Sequence, residues 1–113
     1  MKLINKTRGC VLAENVETAS CFLKRLKGLL GRTDLPEGST LHIFPCPQIH
    51  TFFMRFPIDA AFVDGDGKIL HIVSDMKPWK ISALVLGAKG VYEFQSGSLT
   101  GKAAAGDIVE LAE

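Results

Sequence analysis

The sequence predicts a mainly β fold of the α+β class: a compact antiparallel β-sandwich or barrel with one amphipathic helix packed against it. Three observations point there. Short runs of branched and aromatic residues recur along the chain, separated by frequent turns. Asp64-Gly65-Asp66-Gly67 divides AAFV from KILHIV, a hairpin signature, because Asp-Gly supplies the positive φ that tight turns need. One stretch only shows apolar residues at helical spacing.

Taken in order, Lys2 to Leu12 reads as a strand or strand pair broken near Arg8-Gly9. From Thr18 the period changes. Ala19, Phe22, Leu23, Leu26, Leu29 and Leu30 fall on one helical face, with Lys24, Arg25 and Lys27 on the other. Thr18 is placed to cap this helix, and Gly28 or Gly31 to end it. Beyond the Leu35-Pro36-Glu37-Gly38 turn, strands are expected over Leu41–Phe44, Thr51–Phe56, Ile58–Val63, Ala83–Leu86, Val91–Phe94 and Ile108–Leu111, with a small-residue loop or short turn of helix over Ser96–Gly106. Leu26, Leu29, Phe52, Met54, Phe62, Ile69 and Ile72 occupy the apolar phases and are expected in the core. No repeat or second hydrophobic core divides residues 1–113, so a single domain is expected.

The composition narrows the function classes. Hydrophobic residues make up 47% of the 113 residues and charged residues 22%, ordinary for a globular protein. A net charge of +1 argues against a broad nucleic-acid footprint, which needs a concentrated basic surface. No apolar run approaches the roughly 20 residues that span a bilayer. The first residues, MKLINKTRGC, alternate with charge and lack a signal-peptide core, so the chain as written reads as cytoplasmic. Cys10, Cys21 and Cys46 are odd in number and lack CxxC spacing, which favours reduced thiols over a disulfide framework.

The stretch CPQIHTFFMRFPID, Cys46 to Asp59, sets four polar groups among Phe, Met, Ile and Pro. Arg55 is costly to bury without a partner. Asp59 is the nearest acid, across the ladder break at Pro57, with Glu93 and Asp107 as longer-range candidates. Two readings stand: an internal Arg55–Asp59 ion pair fixing the bend, or Arg55 with His50 and Thr51 as the polar wall of a ligand site. Trp79, the sole tryptophan, sits in Met76-Lys77-Pro78-Trp79-Lys80, as a binding rim or as a lid folded over the core. The candidate ligand site is therefore His50, Thr51, Arg55, Asp59 and Trp79.

Metal and cofactor readings find little support. His42, Cys46 and His50 lie four apart, but four residues of extended strand span about 13 Å, too far for one coordination sphere. The Asp64–Gly67 segment fails as a calcium loop, because Lys68 stands where a ligand should be and no glutamate closes twelve residues. His71 reads as a mid-strand structural residue. Nothing resembles a nucleophile elbow, a phosphate loop or a paired-carboxylate site, so no catalytic residue, metal or cofactor is assigned.

Arg25-Leu26-Lys27-Gly28-Leu29-Leu30-Gly31-Arg32, Leu35-Pro36, Thr51-Phe52-Phe53-Met54-Arg55, Pro57-Ile58-Asp59 and Phe62 together resemble domain of unknown function family 192 (DUF192). The resemblance runs on through Asp66-Gly67, Pro78, Val91-Tyr92-Glu93 with Gly97, and Gly106-Asp107, covering the chain from about residue 18. It departs where Ser39–Phe44 replaces the family's GMLF, and where Phe53 and Arg55 replace the tryptophan and lysine of FWMK. The PCPQIHTFFMRFPID form is similar to a subtype in which the cation and the aspartate persist. The resemblance implies a small antiparallel β-sandwich or distorted barrel with a helix against it. It also implies a bacterial protein with some exported relatives, and it brings no catalytic residue, because the family has no established activity.

The expected function is a non-enzymatic binding module for a small or peptidic, anionic ligand. The alternative is a structural or interaction protein, for instance an accessory factor for pilus or secretion machinery. A hydrolytic or metal-dependent enzyme ranks last.

Overall fold

The computed structural model of the chain describes residues 1–19, 35–45, 48–52 and 54–113. β1 (Lys2–Asn5) and β2 (Cys10–Ala13) form an antiparallel hairpin broken where Arg8-Gly9 predicts. Gly9 turns the chain at φ 68° and its amide donates to the Asn5 carbonyl at 2.8 Å. β8 (Val109–Ala112) lies antiparallel to the other edge of β1, giving the order β2-β1-β8. The second sheet holds β3 (Asn15–Ala19), β4 (Ser39–Ile43), β5 (Ile58–Val63), β6 (Ile69–Met76) and β7 (Gly90–Gln95), in the order β3-β4-β7-β5-β6. β3 runs parallel to β4 and the other neighbours are antiparallel, so this sheet is mixed. Two separate sheets with open edges make a sandwich, not a closed barrel.

Several sequence expectations shift. Thr18 and Ala19, read as the start of a helix, belong to β3, paired with His42 and Ile43. The branched residues Val16 and Thr18 suit a strand. The rest of the expected helix, with Leu26 and Leu29, lies outside the described residues, and no helix occurs among the described ones. The described residues of 51–56, and Ala83–Leu86, are loops, not strands; among the described residues only His50 and Ile81 pair there, as an isolated bridge.

The five-stranded sheet is apolar on both faces. Leu41, Ile43, Ile58, Ala60, Phe62 and Val91 point to one side, where Leu35, Ile49, Met54, Phe56 and Met76 cover them. Ala61, Val63, Tyr92 and Phe94, in the opposite phase, pack against Leu3, Leu12, Ala13, Leu99 and Val109 of the smaller sheet and its loop. β5, IDAAFV, is therefore buried along its whole length, as a strand covered on both faces must be. Of the expected core, Met54, Phe62 and Ile69 are buried and Ile72 is half-buried, whereas Phe52 is exposed.

The Asp64–Gly67 turn does more than reverse the chain. Asp64 Oδ1 accepts the amides of Asp66 and Lys68, both at 2.9 Å. Gly67 has φ 85°, and a Cβ there would lie 2.4 Å from the Val109 carbonyl oxygen. The amide of Val109 donates to the Gly67 carbonyl and that of Ile69 to the Asp107 carbonyl, each at 2.8 Å, so the turn locks the two sheets together. Asp107 completes the joint: its Oδ2 accepts Asn5 Nδ2 (2.9 Å), the Ala104 amide (3.0 Å) and Arg8 Nε (2.8 Å).

Gly67→Ala is expected to lower stability by more than about 1 kcal/mol, since it combines a disfavoured φ with a backbone clash. Chemical denaturation measures this. The Asn5 amide, followed by the Ala104 amide and Arg8, holds the Asp107 carboxyl below its ordinary 3.8. Its charged form is thus favoured by folding, and the stability it contributes is present above 3.8 and lost as pH falls through the depressed folded value. Denaturation midpoints should fall on acidification from about 3.8 down through that depressed value, less steeply in Asp107→Asn.

Candidate functional site

The residues of the CPQIHTFFMRFPID stretch divide between a buried frame and an exposed rim. Thr51 belongs to the frame. It is fully buried, and its hydroxyl donates to the Lys77 carbonyl (2.6 Å) while accepting the Lys80 amide (2.9 Å). Its backbone amide donates to the Lys80 carbonyl (2.8 Å), and its carbonyl accepts the amides of Trp79 (2.9 Å) and Met54 (3.2 Å). One residue thereby ties loop 48–56 to loop 77–82. Ser82 extends the tie: its Oγ accepts the Ile49 amide at 3.0 Å and its amide donates to the Ile49 carbonyl at 2.9 Å. Thr51 thus builds the site and offers a ligand no surface.

Asp59 is also part of the frame. It is 1% exposed; Oδ1 accepts the Asp75 amide (2.8 Å) and Oδ2 accepts the amides of Gly97 (3.0 Å) and Leu99 (3.1 Å). Between the pairs Ile58↔Met76 and Ala60↔Val73, β6 carries Ser74 and Asp75 against Asp59 alone, a β-bulge that re-aims the chain into the Lys77–Lys80 loop. Arg55 is exposed and makes no ion pair with Asp59, which overturns the internal-pair reading. Backbone amides satisfy the buried carboxylate, and the cation goes to solvent. Asp107 pairs with Arg8, and Glu93 is buried on β7.

The rim consists of Phe52 and Trp79, both exposed, and the half-buried His50. The rings of His50 and Phe52 stack at 4.9 Å, and Phe52 lies 6.1 Å from Trp79. The Phe52 amide donates to His50 Nδ1 at 3.3 Å, which leaves that nitrogen as the acceptor. Trp79 is 59% exposed, so it is no lid over the core, and it holds φ 66°, uncommon outside glycine. Lys77 pairs with Asp75 at 2.7 Å. Arg55 and Lys80, both exposed, make no ion pair among the described residues. Ile81, Leu84 and Leu86 continue the apolar exposure along the second loop.

Phe52 is the rim residue the sequence reading missed, having been placed in the core on strand alternation. The signal was Pro57 together with Pro45 and Pro47, three prolines that deny this segment a regular ladder. Among the described residues, no three of His, Cys, Asp and Glu are grouped to hold a metal ion. His42 lies away from the rim, stacked on Tyr92, and Cys46 falls outside the described residues. His71 is exposed on β6, its ring 6.3 Å from that of Phe62. A cavity of about 460 Å³ opens between β2, Gly38 and Gln95–Ser98, and it contains none of the candidate residues. No helix of the described residues is long and apolar enough to cross a membrane.

Comparison with known proteins agrees with the resemblance read from the motifs. A family model described as an uncharacterised ACR, DUF192, matches residues 3–111. A UPF0127 protein of Thermococcus sibiricus is 33% identical over 100 residues, covering 84% of this chain and 64% of that protein. The match thus spans less than two thirds of that relative's length. A UPF0127 protein of Pyrococcus abyssi is 31% identical over 96 residues, 80% of each chain. These relatives are archaeal, whereas the motif resemblance implied a bacterial protein. A protein of unknown function from Novosphingobium aromaticivorans superposes with a TM-score of 0.84 at 22% identity, over 98% of this chain and 84% of that one. A structure of a candidate transcription regulator from Sinorhizobium meliloti gives 0.81 at 22% identity, over 96% and 89%. At that identity the two structures establish the fold alone.

Asp59→Asn turns an NH₂ group toward backbone amides that need an acceptor, and is expected to cost about 1–3 kcal/mol. Arg55→Met should stay within about 0.5 kcal/mol of the parent, as a surface change does. The double variant should show no coupling, because the two side chains share no contact. Urea titrations of all four proteins provide the measurement. Trp79 fluorescence should be readily quenched by iodide and less by caesium, since the exposed Lys80 follows Trp79 in the chain without an ion pair among the described residues.

Proposed function

The chain belongs to the DUF192 family, and on that premise we propose that it is a non-enzymatic binding module for a small or peptidic anionic ligand, taken at the rim of His50, Phe52 and Trp79. The observation that carries this reading is Trp79: a large aromatic ring presented to solvent on a backbone held at positive φ. Such a conformation costs about 1–3 kcal/mol and persists only where the surroundings impose it, as they do at binding clamps. Here the imposing group is Thr51, through the Trp79 and Lys80 amides. A rigid indole beside a phenyl ring gives apolar contact area with little entropy to lose on binding. Arg55 and Lys80 supply positive charge, which favours an anionic partner. His50 contributes its ring to the same rim, stacked on Phe52.

A second reading draws on Ile81, Leu84 and Leu86, whose exposure on one loop suits a flat protein partner of the accessory kind. The two readings place the energetic centre differently: at Trp79 and the cations for a ligand, at Leu84 and Leu86 for a partner surface.

Titration with a glutamate-rich peptide carrying one apolar residue, followed by Trp79 emission, is expected to give a saturable change. A lysine-rich counterpart should give none. Arg55→Ser or Lys80→Ser should weaken the acidic peptide roughly tenfold, with Leu84→Ser leaving it unchanged. An emission spectrum indifferent to the acidic peptide contradicts the proposal.

A further inference from the structure

We infer a second ligand site, independent of the rim and on the other face of the five-stranded sheet: the cleft lined by His42, Phe44 and Tyr92 binds a small planar aromatic carboxylate, with its ring against the exposed Phe44 and its carboxylate on Lys89. The wall follows from strand register. His42 of β4 lies directly across from Tyr92 of β7, and the two rings stack at 4.1 Å with an interplanar angle of 11°. Phe44, in the same phase just beyond β4, brings its ring to 4.9 Å from His42 and is exposed. The cleft between this wall and the Asp64–Gly67 turn has a volume of about 260 Å³. That is below the roughly 300–1,000 Å³ of drug-sized pockets, which fits a single-ring molecule.

The floor depends on glycine. A Cβ on Gly90 would lie 3.0 Å from His42 Nε2 and 3.2 Å from Phe44 Cβ, so any side chain there would push both rings from their places. Gly65 and Gly67 leave the opposite wall equally bare. Burial lowers the His42 pKa, which disfavours a positive charge within the stack. Burial likewise raises Tyr92 to about 12, so its phenol adds no negative charge.

The charge of the cleft selects the ligand's polar end. The Lys89 amide donates to the Val63 carbonyl at 2.8 Å, fixing the residue at the cleft mouth, and its stem would lie 3.8 Å from a Cβ on Gly65. Its ammonium makes no ion pair among the described residues. The one acid of the lining, Asp64, is already served by the amides of Lys68 and Asp66 and by the charge of Lys68. Lys89 is therefore the unengaged charge beside an aromatic wall, and a ring bearing a carboxylate complements both.

The test is a proton NMR titration of the full chain with benzoate and with its neutral isostere, benzamide. Tyr92 is the sole tyrosine, so its ring resonances report on the wall without ambiguity. Benzoate should shift the Tyr92 and His42 ring signals saturably, and benzamide should bind at least about tenfold more weakly. Lys89→Met should erase that difference, and Phe44→Ser should weaken both compounds; both residues are exposed, so the fold is retained. No saturable shift with benzoate, equal binding of the two compounds to the parent protein, or shifts indifferent to both substitutions would overturn the site.

Discussion

The side chain of Thr51 is the constraint on which the candidate surface of His50, Phe52 and Trp79 depends. Loops 48–56 and 77–82 have no ladder between them beyond the His50–Ile81 bridge. What holds them in register is one buried hydroxyl, donating to Lys77 and accepting from Lys80, together with the backbone of the same residue and the Ser82–Ile49 hydrogen bonds beside it. A neutral hydrogen bond contributes only about 1 kcal/mol net, but leaving buried donors and acceptors unmet costs more. The contact is therefore better understood as a condition for the loops' geometry than as a large stabilising term.

That geometry is delivered from below by Asp59. The bulge opposite it turns β6 out of the sheet, and its two oxygens hold the bulge and the loop after β7 at once. The apolar residues of the central stretch then part company. Ile49, Met54 and Phe56 plug the face of the five-stranded sheet, while Phe52 and Trp79 are left outside. A frame of buried polar groups thus carries a rim of exposed aromatic ones.

Much of the fold was legible because local chemistry and long-range structure agree. The Asp64–Gly67 turn, the break at Arg8-Gly9 and the apolar run of β5 each follow from a residue's own preference. The failures share a different origin. Thr51–Phe56 has strand-like residues, yet the Thr51 amide is taken by a loop nearly thirty residues away and the Met54 amide by a local turn. Periodicity registers side chains and carries no record of where backbone hydrogen bonds go. The same blindness produced the Arg55–Asp59 pair. Charge complementarity was visible along the chain, while the amides of Asp75, Gly97 and Leu99 that satisfy Asp59 become neighbours only in the fold. Of the candidate site, the exposure of Trp79 was one of two readings its Lys-Pro-Trp-Lys setting allowed, and the structure has it exposed. The division of labour between frame and rim was not legible.

Amide hydrogen exchange in the parent protein and in Thr51→Val tests the central claim most directly, because valine keeps the shape and removes only the hydroxyl. The account predicts that the Trp79 and Lys80 amides are protected in the parent and lose protection in the variant, while the amides of β5 and β7 exchange as before. Unprotected Trp79 and Lys80 amides in the parent, or protection that survives Thr51→Val, would contradict it.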